Sequence, residues 1–344
     1  MTDSVVRTPR VAPTLEVVAA LANVSRATAS RVLNGSPRVS PEAKESVLRA
    51  ASELNYTPNR AARSLVTKRS DSLAFVVTES EDRFFHDPFF LNMLRGAHSV
   101  LAARERQLLF VVNSGEQDRT RLINYAAGGH VDGVMLVSLH GGDSLPDRLH
   151  SLGVPVVLSG RPLDPDSAVH FVDADNRDGA RAATALLINR GCRQLATITG
   201  PRDMAAGRDR IAGFRDALRA VGERPDPKSI VDGDFSMASG FEAMRRLLKH
   251  LPDVDGVFAA NDLMGIGAVQ AIQSVGKRVP DDIAVVGFDD VAVAQLSAPA
   301  LTTIRQPITA MGEQMAQLLV DLVDGKDVPK SIILPTELIR RASA

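Results

Sequence analysis

Apolar positions over residues 15–54 recur with the period of a helix, and beyond residue 72 they gather into short runs divided by helical stretches. Leu15, Val18, Ala19 and Ala22 share one helical face, the stripe an amphipathic helix buries. Asn23-Val24 then turns the chain, and Asn tolerates the left-handed conformation such turns need. Ser25 is the N-cap candidate of a second helix, Arg26 to Leu33, which stops at Asn34-Gly35. Ser40-Pro41-Glu42 opens a third, with Pro at the first helical position and acids in the first turn. It runs to about Leu54, and Val47, Leu48, Ala51 and Leu54 are predicted to close a small core. Two helices joined by so short a turn make a helix-turn-helix. An ordinary three-helix bundle with polar residues facing water would share the pattern.

Pro58 to Leu65 is short, basic and helix-capable, yet lacks an apolar face large enough to dock firmly. An isolated helix of that length is marginal in water, so the segment reads either as a plain linker or as a hinge ordered by a partner. From Leu73 the pattern becomes strand–helix alternation. The runs Leu73–Val77, Gln107–Val112, Gly133–Val137 and Val154–Leu158 are short and β-branched, as buried parallel strands are. A second series lies at Gln194–Thr199, Ser229–Val231, Gly256–Ala259 and Ile283–Gly287, with helices between. Two sets of βα units predict two parallel-sheet subdomains with a cleft between them. Ligands in such sheets bind at the carboxyl ends of the strands.

Charge separates the two regions. Residues 1–70 hold eleven Lys and Arg against five acids, a net of +6, and the remainder carries −7. A basic head on an acidic body is the footprint of a domain that meets phosphates, here most simply DNA. No apolar run reaches the roughly 18 residues a membrane span needs, and Met1 to Arg10 is too polar for a secretory signal. A single cysteine, Cys192, fits a reducing cytoplasm. Cytoplasmic location and no membrane association are the expectations.

The head resembles the DNA-binding headpiece of the lactose-repressor (LacI/GalR-type) family of bacterial transcription regulators. The match runs through Ala22-x-Val24-Ser25-x-x-Thr28-x-Ser30-Arg31-Val32-Leu33-Asn34 and Tyr56-x-Pro58-Asn59-x-x-Ala62-x-x-Leu65. Asn23 stands where that family usually has Gly, and Val17 where it has an acid. Thr199-Gly-Pro201, Arg210-x-x-Gly213-Phe214, Asn261-Asp262, Gly287-Phe-Asp-Asp290 and Leu301-Thr-Thr-Ile304 extend the resemblance over nearly the whole chain. It implies a disordered arm at 1–13, a helix-turn-helix headpiece at 14–57, a hinge and linker at 58–72, and a two-lobed periplasmic-binding-protein-like body at 73–344. The first lobe would take about 73–173 plus 306–335, the second about 174–305 plus the C-terminal end. The expected state is a homodimer on a pseudo-palindromic operator, since the chain leaves no room for the extra C-terminal helix of tetrameric members.

The same resemblance implies roles for individual residues. Arg26, Thr28 and Arg31 would reach base edges, where Arg to guanine is the commonest pairing. Ala27 would touch a thymine methyl, and Ser25, Ser30 and Asn34 would hold phosphates. Asn59, Ala62 and Arg63 would line the minor groove, with Leu65 as the wedge that kinks the duplex. In the cleft, Arg210, Asp175, Asn261 and Asp289 would bind the effector, with Phe235 packing on a sugar face. Apart from the resemblance, Phe85 and Phe89, just after the first strand, and Arg161, at the end of another, are cleft candidates from the first lobe by their place at strand ends, although the phenylalanines can equally be core and Arg161 can equally hold a loop. Asp262 and Asp290 can equally cap the helices that follow them. One Arg, several carboxylates or amides and a ring suit a carbohydrate; a nucleobase, or a phosphoprotein co-repressor, is the alternative, and the protein could be an activator. No cofactor is expected. Metal-ligand spacing, P-loop and nucleophile-elbow motifs are absent, so an enzyme is not expected. A periplasmic solute-binding protein would lack the head, and an architectural DNA binder would lack the body.

Overall fold

The computed structural model describes residues 13–33, 36, 38–57, 69–113 and 115–344. The chain forms two units that meet at Ser70/Asp71. In the first, α1 (Leu15–Leu21), α2 (Arg26–Leu33) and α3 (Pro41–Glu53) pack around Val18, Ala22, Ala29, Val32, Val47 and Ala51. Asn23 takes a φ of 54°, the left-handed turn its side chain tolerates. The Ser25 hydroxyl accepts the Thr28 N–H at 3.1 Å and the Ser40 hydroxyl that of Ala43 at 3.3 Å, so both helices carry side-chain caps. Leu48 departs from expectation. It is 48% exposed, because Ala50 takes the buried place beside Val47 and Ala51 and Leu48 points away.

The second unit is an α/β body of two lobes. One sheet contains β1 (Ser72–Val77), β2 (Gln107–Val112), β3 (Gly133–Val137), β4 (Val156–Ser159) and β5 (His170–Ala174). The other contains β6 (Leu195–Thr199), β7 (Ile230–Asp232), β8 (Gly256–Ala259), β9 (Ala284–Asp289) and β10 (Thr302–Arg305). After helix Ile308–Val323, β11 (Ser331–Leu334) returns to the first sheet and β12 (Glu337–Ile339) to the second. The strand orders are β11-β5-β4-β3-β1-β2 and β12-β10-β9-β8-β6-β7. Every recorded pairing is parallel except β10 with β12.

Apart from Ser72 and Asp289 at their ends, the central strands β1, β3, β8 and β9 are apolar because helices cover both of their faces. The chain passes between the lobes after β5, between β10 and the Ile308–Val323 helix, and between β11 and β12. That helix packs on Pro88–Ala103 of the first lobe. At the far end, Ser343 ties the tail to the second sheet, donating to Val285 O at 2.6 Å and accepting the Thr302 N–H at 2.8 Å. Strands β5, β10, β11 and β12 have mixed polar sequences without the continuous apolar run of a central strand, and all four lie at or next to a sheet edge.

Candidate functional site: a charged cleft between the lobes

In the head, the solvent-facing side of α2 carries exposed Ser25, Arg26, Ala27 and Arg31, with Thr28 and Ser30 half-buried. Arg26 forms an exposed ion pair with Glu16 of α1 at 2.7 Å. Of the proposed DNA contacts, Asn34, Asn59, Ala62, Arg63 and Leu65 lie outside the described residues.

In the body, the carboxyl ends of the strands in both sheets converge on a cleft holding about 550 Å³ of free space. Its centre is Arg210, in helix Ala205–Ala220 and only 4% exposed. The guanidinium donates from Nε to Asn176 Oδ1 at 2.9 Å and from Nη1 to the Ala260 carbonyl, and Nη1 lies 3.5 Å from Asp289 Oδ1. Its carbon sits 3.7 Å from the Phe288 ring centroid and 5.8 Å from that of Phe235. A buried cation is tolerable only when paired and bonded, and this one has carboxylate, amide, carbonyl and ring partners.

Asp289 ends β9 with a φ of 111°, a conformation that turns its carboxylate back toward the cleft, where it accepts from Gln306 at 2.6 Å. Burial pushes its carboxyl up to about 7, with Arg210 working the other way. Asp173, in β5, is pushed up to about 6 by burial, against hydrogen bonds from the Arg161 and Ala174 amides. Asp87 is likewise raised by burial while it accepts from the Phe89 N–H at 3.0 Å. Asn261 donates to the Phe235 carbonyl at 2.8 Å and caps its own helix by accepting from Met264 N–H at 2.9 Å. Phe235 has a φ of 71°, and Gly200 makes room for it: a Cβ there would lie 2.1 Å from the ring.

Arg210, Phe235, Asn261, Asp289 and Phe89 thus line one cavity. Three other sequence candidates do not. Phe85 is 68% exposed, because helix Glu81–His86 turns Phe84 into the core and leaves its neighbour in solvent. Asp175 is exposed and caps the Asn176–Arg190 helix, accepting from Asp178 N–H at 3.0 Å, where the chain leaves the sheet. Arg161 lies outside the inner cavity and pairs with Asp209 of the second lobe through Nη2, at 2.7 and 2.8 Å. Neither Asp262 nor Asp290 is a helix cap. Asp262 is fully buried and accepts from Thr303 and the Val291 N–H; Asp290 pairs with Arg305 and Arg341.

The residues that sequence reading missed are Asp173, Asn176, Asp87, Gln306 and Arg83. Arg83 reaches from the first lobe to within 5.3 Å of the Phe235 ring centroid of the second. A basic residue in the segment after β1, beside the phenylalanine cluster, was a usable signal. Asp173 sits in a strand that was not foreseen, and its facing could not be read. The set of one buried cation, three carboxylates, amides and lining aromatic rings suits a neutral polyhydroxylated ligand. Arginine forks onto vicinal hydroxyls, carboxylates accept from them, and rings pack on C–H faces. Among the described residues no cluster could hold a metal and no helix is long and apolar enough to cross a membrane.

Comparison with known proteins agrees with this architecture. Residues 14–59 match the family model for bacterial regulatory proteins of the lacI family, and residues 184–344 match the periplasmic binding protein-like domain. The HTH-type transcriptional regulator CelR of Thermobifida fusca is 49% identical over 333 residues, 96% of this chain and 98% of its own. A solved transcriptional regulator CelR–cellobiose complex is similar, with a TM-score of 0.78 at 47% identity, covering 96% of this chain and 100% of that one. The lac repressor dimer bound to operator and the anti-inducer ONPF has a TM-score of 0.82 at 28% identity, covering 96% and 98%. The chain belongs to the lacI family of bacterial regulatory proteins: it is a DNA-binding transcriptional regulator and not an enzyme.

Proposed function

We propose that this regulator binds a pseudo-palindromic operator as a homodimer in the cytoplasm and that a saccharide in the interlobe cleft sets its operator affinity. The observation that carries the effector class is Arg210, a nearly buried guanidinium ringed by Asn176, Asp289 and two aromatic faces in a cavity also lined by Asp173 and Asp87. The CelR relative in complex with cellobiose points to a β-linked glucose disaccharide. On the DNA side, Arg26 and Arg31 take base edges, while Ser25, Ser30 and Asn34 hold the backbone. Asn59, Ala62, Arg63 and Leu65 stay part of this proposal as the minor-groove hinge. The cleft residues come from both lobes, so a ligand there has differential affinity for closed and open bodies, and that difference is what shifts the DNA-binding equilibrium. The coupling is reciprocal: operator changes saccharide affinity by the factor by which saccharide changes operator affinity.

The test is calorimetric titration of the full-length protein with cellobiose, maltose, glucose and adenine, followed by operator binding with and without the ligand that binds. Cellobiose binding with a changed operator affinity supports the reading. Adenine binding alone overturns the saccharide assignment, and cellobiose binding without any change in operator affinity overturns its regulatory role.

A further inference from the structure

The cleft does not end at Arg210. A second cavity of about 930 Å³ opens beside the first, and Ser159, Gly160, Met204 and Ala206 line both. The shared wall is built to stay open. Gly160 has a φ of 90°, which favours glycine, and a Cβ placed there would meet nothing within 4 Å. Ala206 contributes only a methyl, and Met204 has a flexible, adaptable side chain.

The outer chamber is chemically similar to the inner one. Asp147 and Asp164 supply carboxylates and Ser144 a hydroxyl, above an apolar lining that includes Pro146, Pro162 and Leu163. Two cross-lobe pairs, Arg161–Asp209 and His140–Asp203, belong to the same region, since Arg161 and His140 line this chamber. The inner chamber has the buried cation and aromatic faces needed to orient a terminal ring. Beyond the open neck, acceptor oxygens and apolar surface repeat, and the cations there, Arg161 and His140, are paired across the lobes with Asp209 and Asp203, which leaves a lining suited to continuing neutral sugar units.

We propose that the outer chamber is an extension subsite, so that the effector is an oligosaccharide longer than a disaccharide, with its terminal unit at Arg210 and its following units passing Gly160 into the outer chamber. This rests on the saccharide reading above. The test titrates the full-length protein with glucose, cellobiose, cellotriose and cellotetraose. The expected result is a trisaccharide bound about tenfold more tightly than the disaccharide, as about 1.4 kcal/mol from new contacts gives. In Ser144→Trp and in Asp147→Trp, which fill the outer chamber from two different positions, that ratio falls to about one. Thermal melting of each variant identifies any that fails to fold, and the other then decides. Cellobiose bound as tightly as cellotriose or more tightly by the unmodified protein overturns the extension and leaves the saccharide reading standing. Binding of none of the four overturns the saccharide reading, and the extension with it.

Discussion

His140 Nδ1 lies 2.9 Å from Asp203 Oδ2, and this contact joins the first lobe to the second. The other ring nitrogen is 3.2 Å from Glu79 Oε1, and next to His140 the Gly141 N–H donates to the Asp203 carbonyl at 2.6 Å. The hydrogen bond with Glu79, followed by that with Asp203, raises the imidazole from 6.5 to about 8, partly offset by burial. A raised folded-state value means that the tie is fully present below about 6.5 and is lost as the pH climbs through about 8. If closure of the lobes holds the effector, its affinity falls across that window. Titrations from pH 6 to 9 should show the decline, and His140→Gln should flatten it. An unchanged profile in the variant would remove His140 as the cause.

Asp173 supplies the acid side of the same profile. Burial holds its carboxyl at about 6. Hydroxyl donors from a ligand favour the ionised form, so effector binding near pH 6 is expected to release protons, and affinity should rise as the pH climbs through that value. Calorimetry in buffers of different ionisation enthalpy measures the release. Asp173→Asn should abolish it; a release that persists places the proton on Asp289, whose carboxyl stands at about 7.

Arg210→Ala leaves Asp289 and Asp173 without their nearby cation in a buried site. Removing one partner of a buried pair costs about 3–5 kcal/mol. The melting temperature of the body should drop, and effector binding should vanish while operator binding persists. Arg210→Lys keeps the charge but loses the fork to Asn176 and Ala260, so it should restore stability better than affinity. Normal effector binding by either variant would take Arg210 out of the site.

Ser25 caps α2, and a phosphate contact is proposed for it as well. Its hydroxyl caps α2 through the Thr28 N–H, and loss of such a cap costs about 1 kcal/mol. Ser25→Ala should therefore speed hydrogen exchange at the Thr28 amide. Ser25→Asp keeps the cap but sets a negative charge where a phosphate is proposed to sit. Exchange should stay slow in that variant while operator affinity falls. Equal operator affinity for Ser25→Asp and the unmodified chain would leave Ser25 with the capping role alone.

What the sequence by itself determined is everything carried by near neighbours on the chain. The 3.6-residue stripe of α1, the left-handed turn at Asn23, and the caps at Ser25 and Ser40 all depend on residues within about four positions. The apolar runs that became β1, β3 and β8 were legible for the same reason, since strands covered on both faces are apolar at every position. Only the tertiary structure decided which polar residues share the site. Asp173 faces the cleft and Asp175, two residues on, is a helix cap, because the chain leaves the sheet between them. Strand β5 itself exists by virtue of its pairing with β4 and with β11, which lies about 160 residues away in the sequence. Arg161 stands at a strand end, the place of a ligand contact, yet the approach of Asp209 from the other lobe claims its guanidinium. Facing, pairing partner and burial are set by contacts remote in sequence, and local spacing holds no record of them.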